Sequence, residues 1–196
     1  MTTQASSGKR AEILEVSREL LQTRGFNAFS HRDLADRVGV KSSTVHYYFP
    51  TKEAIGVALI QEYMAETASL FDELDGLTDP SLRVARYCQL FEETAAWRDR
   101  ICMAGMLASD YATLGESLRA EVKGYYVFVE RWLAKQARAL DSRRTAANSA
   151  SFAKAAFALL EGSLLAARLF DEPARARIAR ESILTMLASG TAADEK

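Results

Sequence analysis

Residues 42–48 of this chain, Ser-Ser-Thr-Val-His-Tyr-Tyr, set small hydroxyls beside longer hydrogen-bonding and aromatic groups, with Lys41 just before them and Lys52 shortly after. The hydroxyls of Ser42, Ser43 and Thr44 let a helix approach a nucleic-acid duplex closely. His46, Tyr47 and Tyr48 are long enough to donate to phosphate or to touch thymine methyl groups. Arg32 and Lys41 add cationic donors, and Lys52, opening a helix after Pro50 and Thr51, sits where an ammonium and free N–H groups both favour a phosphate. A polar face of this length is, on its own, as well explained by simple solvation. The run Tyr47-Tyr48-Phe49 shifts the balance, because three exposed aromatics would be a liability, so some must pack and some must have a partner.

The elements that would hold these groups follow from local chemistry. Ser30 is an N-cap with Asp33 three residues on, a capping-box spacing, so a short helix starts near His31. Leu34, Ala35 and Val38 share its inner face, while Arg32, Asp36 and Arg37 point elsewhere. Gly39 suits the left-handed conformation that turns the chain out of one helix into the next, with Val40 filling the corner. The second helix, about residues 42–47, is too short and polar to stand alone and is anchored by Val45 and Phe49. The pattern is a helix-turn-helix, and it points to double-stranded DNA.

Residues 10–59 resemble the N-terminal domain of TetR-type transcriptional regulators. The resemblance rests on Gly25-Phe26, the Ser30 cap, and the run Gly39-Val40-Lys41-Ser42-Ser43-Thr44-Val45-His46-Tyr47-Tyr48-Phe49-Pro50-Thr51-Lys52-Glu53. One departure is His46, where the family usually has Tyr. The resemblance implies an all-α protein, in which an N-terminal three-helix DNA-binding domain precedes a larger helical ligand-binding and dimerisation domain. It also implies a homodimeric repressor, released from a palindromic operator by a small molecule. The alternative is a DNA-binding regulator without a small-molecule ligand, controlled by a partner protein or by cysteine oxidation.

Composition agrees with this outline. The chain has 196 residues, of which 48% are apolar, enough for a substantial core. Its formal charge is −1, but residues up to Lys52 carry 8 Lys+Arg against 5 Asp+Glu, and the rest 17 against 21. That asymmetry has the sign expected of a basic reader on an acidic body. Cys88 and Cys102 form neither a disulfide framework nor a metal cluster, and a reducing cytoplasm fits best. The first ten residues lack the apolar core of a signal peptide. The longest apolar run, residues 155–169, is broken by Glu161 and Arg168, so no bilayer-spanning segment and no membrane partner are expected. Three prolines and no alternating pattern predict helices throughout.

The expected organisation is a disordered arm at 1–8, the DNA-binding domain at 9–52, the effector and dimerisation domain at 53–190, and a disordered tail at 191–196. A first helix at 9–24 would cover the reader with Ile13, Leu14, Val16, Leu20 and Leu21, and a helix at 51–74 would link the two domains. Further helices are expected at 80–94, with Asp79 as N-cap and Pro80 in the first position, and at 100–111, 116–139, 145–170 and 173–188. The last two carry many small residues, which favour close helix packing. The resemblance makes them a two-fold dimer interface.

Candidate effector contacts, expected to be apolar or aromatic in their preference, are Trp97, Cys102, Met103, Met106, Tyr125 and Phe128, drawn from helices that enclose the pocket in the resembled family. Most residues of this kind are simply core. Cys102, near Arg98 and Arg100, lies in a segment resembling a subgroup in which some members sense electrophiles through a cysteine. No enzyme, cofactor or metal is expected: both histidines lie in the reader, and no phosphate loop, nucleophile elbow or metal spacing occurs.

Overall fold

The computed structural model describes residues 2–97 and 99–189, with side chains from residue 8 onward. Among these residues the regular elements are all helical. In order they are α1 (Thr2–Arg24), a 3-10 turn at Phe26–Ala28, α2 (His31–Val38), α3 (Ser42–Tyr48), α4 (Lys52–Asp75), α5 (Pro80–Ala96), α6 (Met103–Ser109), a second 3-10 turn at Tyr111–Thr113, α7 (Glu116–Leu140), α8 (Ala146–Phe170) and α9 (Ala174–Ser189). The expected tail at 191–196 lies outside the described residues.

Local signals place most boundaries. Ser30 and Asp33 form a full capping box, each side chain bonded to the other's backbone N–H. Thr51 Oγ1 accepts from Ala54 N at 3.1 Å to open α4, Asp79 accepts from Ser81 N with Pro80 in the first turn of α5, and Thr145 accepts from Asn148 N to open α8.

Two boundaries differ from expectation. Helix α1 begins at Thr2 rather than near Lys9, and the stretch before Gly8 contains no proline to stop a helix propagating backwards. Helix α6 is shorter than residues 100–111. It starts at Met103, and Asp110 leaves the helix with its carboxylate committed to another segment.

The chain divides into two compact units. The first comprises residues up to Ala65 together with Met103–Tyr125, and the second Glu66–Cys102 with the described residues from Tyr126 on. In the first, Ile13, Leu14, Leu20, Leu21, Leu34, Val38, Val45, Phe49, Ile55 and Leu59 form the core. Two carboxylates staple distant segments there. Asp110 accepts from Phe26 N at 2.8 Å and from Asn27 Nδ2 at 3.0 Å, and Glu53 Oε1 accepts from Leu118 N, in the first turn of α7, at 3.2 Å.

In the second unit an aromatic stack of Phe71 on Trp132, centroids 4.1 Å apart, adjoins Tyr87 and Phe128. Asp75 closes this cluster, accepting from Trp132 Nε1, Lys135 Nζ and Gln136 Nε2. Helices α8 and α9 bury Ala153, Ala156, Leu160, Leu164, Ala176, Ala179, Ile183 and Leu187. By length and composition α8 is apolar enough to cross a membrane, contrary to the expectation built on Glu161 and Arg168; half of its most apolar window is buried within the protein.

Candidate nucleic-acid interface

Helix α2 is fixed first. Its inner face, Leu34, Ala35 and Val38, is buried, and Arg37 pairs with Glu19 of α1 at 3.0 Å. Gly39 follows with φ 70° and ψ 39°, the left-handed conformation the turn requires, and the amides of Gly39 and Val40 both bond to Ala35 O.

Helix α3 is then pinned at both ends of its inner face: Val45 is fully buried and Phe49 nearly so, with the Arg10 guanidinium over the Phe49 ring. His31 supplies a second tie. Its Nε2 lies 2.8 Å from Phe49 O, which makes that nitrogen the donor, and its ring stacks on His46, centroids 4.1 Å apart and planes within 2°. The stack holds His46 from behind while His46 remains exposed.

What α3 leaves outward is the predicted mixture. Ser43, His46 and Tyr47 are exposed, Ser42, Thr44 and Tyr48 half-buried, and Lys41 and Arg32 exposed beside them. Tyr47 is 78% exposed and meets Tyr48 edge to face at 5.1 Å. The three consecutive aromatics are therefore divided, with Phe49 in the core and Tyr47 in solvent.

Lys52 is placed differently from its neighbours. Its ammonium lies 4.8 Å from the Phe26 ring centroid and 4.7 Å from that of Phe29, half-buried. Burial pulls its pKa below the ordinary lysine value, against the opposing pull of Asp110 and Asp33. The capping carboxylate of Asp33 is held below the usual carboxylate range by its hydrogen bonds to the Ser30 side chain and backbone.

Residues 13–59, which contain all of this geometry except the Arg10 and Asp110 interactions, match the family model for bacterial regulatory proteins of the tetR family. That segment is similar to the tetR family of bacterial regulatory proteins. It is 27% identical over 141 residues to the HTH-type transcriptional regulator EthR of Mycolicibacterium smegmatis, a match covering 69% of this chain and 61% of EthR. It is 28% identical over 72 residues to the HTH-type transcriptional repressor KstR2 of Rhodococcus jostii, covering 37% of this chain and 35% of KstR2. The chain thus spans under two thirds of the length of each of these two relatives. A TetR regulator from Legionella pneumophila has a similar structure, with a TM-score of 0.81 and 29% identity over 88% of this chain and 93% of that one. TetR-family regulators bind operator DNA and form dimers.

The six candidate effector residues fall into both units. Met103, Met106 and Tyr125 belong to the first, all buried, with Tyr125 stacked on Tyr63 at 4.9 Å and the Met106 methyl close to Gly25. Cys102, Trp97 and Phe128 belong to the second. Trp97 ends α5 at 59% exposure beneath the Arg100 guanidinium, and Arg98 lies outside the described residues. Phe128 lines a cleft of about 270 Å³ with Phe71, Asp72, Arg131 and Trp132.

Cys102 is buried beside Glu161, a residue that the sequence presents only as an interruption of an apolar run. Neither cysteine is in a disulfide. Among the described residues, no group of three His, Cys, Asp or Glu side chains is arranged to hold a metal ion. The residues that sequence reasoning missed are His31, Asp110 and Glu53. Each acts through a contact with a partner far along the chain, for which a single sequence carries no periodic signal.

Proposed function

We propose that this regulator is a homodimeric repressor that reads a palindromic operator with one α3 per protomer and is released by a small molecule bound among its later helices. The observation that carries the reading is the outward face of α3, polar and aromatic, backed by buried Val45 and Phe49 and by the His31 ring. In this reading Ser42, Ser43, Thr44, His46, Tyr47 and Tyr48 enter the major groove, while Arg32 and Lys41 meet phosphates. Lys52 reaches a phosphate only by leaving the Phe26 and Phe29 rings. Repression is also what the name of the relative KstR2 states for that protein.

Dimerisation is supported by an apolar surface on the last two helices. Leu165, Leu169, Phe170 and Ile178 are at least half exposed, around a groove of about 250 Å³ lined by Leu159, Gly162, Ser163, Ala166, Ile178 and Ala179. Exposed apolar surface of this extent on an otherwise well-packed helix pair calls for a partner, and a second copy satisfies it with two-fold symmetry. Two readers then meet half-sites about 34 Å apart or somewhat more.

Release by a ligand is favoured over cysteine oxidation. Cys88 is fully buried, and burial holds its thiol up at about 12, with Arg180 opposing and Glu92 reinforcing the rise. Cys102 is 3% exposed. Neither thiol offers the accessible thiolate that oxidation requires.

The test is selection of duplexes from a random library by the full-length protein, followed by sedimentation of protein and complex. The expected result is an inverted repeat bound by a dimer. A monomer without sequence preference would overturn the reading.

A further inference from the structure

Glu161 is a buried carboxylate of the second unit. It lies on α8 at 8% exposure, and among the described residues neither carboxylate oxygen has a partner at full hydrogen-bond geometry. Among the other buried charges there, Asp141 accepts from Arg143 N and Nε, and Arg144 Nη2 donates to the carbonyls of Met186 and Leu187 while its Nε has no partner among the described residues. The donor beside Glu161 is the Cys102 thiol, a weak one that favours the ionised carboxylate.

The surroundings are aromatic as well as apolar. Phe157 precedes Glu161 by one helical turn, and Tyr126 of α7 meets the Phe157 ring edge to face at 4.8 Å. Burial, reinforced by Glu161, Cys102 and Glu130, pushes the Tyr126 phenol well above its ordinary pKa, so it remains an O–H donor. All of these residues belong to the second unit, and Cys102 and Tyr126 are the residues at which the chain leaves and re-enters it.

A desolvated carboxylate gains most from a ligand that brings both positive charge and N–H donors, and aromatic faces beside it favour the same cation. We propose that Glu161 anchors the ammonium group of a cationic effector, an amine carried on an apolar or aromatic body, with Tyr126 and Phe157 beside it. This rests on the ligand-released reading above and names the chemical class of the ligand. A neutral or acidic effector would leave the carboxylate unanswered. Burial sets the Glu161 pKa at about 7, with the Cys102 thiol pulling it down, so the anchor is charged above neutrality and uncharged below it. The titratable groups around it are Cys102, Tyr126 and, beside Tyr126, Glu130.

The experiment titrates full-length protein at pH 8 with 2-phenylethylamine, 4-phenylbutylamine and benzylamine, with their N-acetyl derivatives, and with 3-phenylpropionate, reading melting temperature and heat of binding. The amines are expected to bind saturably and the others not. Glu161→Gln should weaken the amines at least tenfold. Lowering the pH to 5.5 should do the same to the unaltered protein, which keeps the test independent of how the variant folds. Binding of the acetyl or acidic compounds without the amines would overturn this inference and leave ligand release standing. Amine binding that neither the substitution nor pH alters would overturn it too. Failure of every compound to bind would overturn both readings.

Discussion

The imidazole of His31, the first residue of α2, lies flat against that of His46 in α3, 4.1 Å between centroids, while its Nε2 donates to Phe49 O. The orientation of α3 is thus set by a residue outside it. His31→Ala removes a stack worth about 0.5–1.5 kcal/mol and a hydrogen bond worth about 1 kcal/mol. Operator affinity should fall roughly five- to tenfold with an unchanged salt slope, measured by anisotropy at several ionic strengths, because no phosphate contact is lost.

Lys41→Ala should weaken all duplexes alike and lower the salt slope by about 0.9, the value for one phosphate contact on duplex DNA. Thr44→Ala or His46→Ala should instead change preference at one base pair by about 1–3 kcal/mol, as scored by competition between operator variants. Lys52→Ala is expected to lower the melting temperature as well, since it strips the cation from the faces of Phe26 and Phe29.

Gly39 has open space where a Cβ would stand, so only its φ of 70° resists substitution. Gly39→Val should cost about 1–2 kcal/mol or more, and Gly39→Asn clearly less, because Asn tolerates the left-handed region. Denaturant melts of the three proteins check the ordering.

Asp75 binds three donors. Desolvation alone would raise its pKa, but the bonds to Lys135, Trp132 and Gln136 outweigh it and the net shift is downward. A depressed carboxylate contributes stability that is present above the ordinary Asp pKa near 4 and is lost as pH falls through the lower folded value. Asp75→Ala should therefore cost about 1–3 kcal/mol at pH 7, leaving the Trp132 and Gln136 donors unanswered, and less at a pH below the ordinary Asp value. Urea unfolding at the two pH values measures the difference.

Glu161 behaves oppositely. Its folded pKa of about 7 stands above the ordinary 4.5, so between these values the folded chain keeps a proton that the unfolded chain has released. Stability should decline as pH rises through that window and then level off. Relative to the unaltered protein, Glu161→Gln should gain roughly 3 kcal/mol between pH 5 and pH 8, as an order of magnitude. An unchanged difference would mean that Glu161 is better solvated than its burial implies.

Much of the reader was legible because its determinants are local. Ser30 and Asp33, Gly39, and the Val45–Phe49 spacing each act within four residues, and each appears in the structure as read. The same holds for Asp79-Pro80. What escaped are contacts across long stretches of chain. Asp110 meets Phe26 N across 84 residues, Glu53 meets Leu118 across 65, and the Lys52 ammonium rests on rings that its position after Pro50 does not announce. Glu161 looked like a polar blemish in an apolar helix, because a residue's partners, or their lack, are a property of packing rather than of order along the chain.

The stapling of Phe26 by Asp110 and of Leu118 by Glu53 bears on any attempt to transplant the DNA-binding function. A chimera that borrowed only the amino-terminal 65 residues would bring one half of each clasp without the other, leaving the Phe26 amide and the Glu53 carboxylate to an unrelated host. The exchangeable cassette is discontinuous, and residues 103–125 must travel with it.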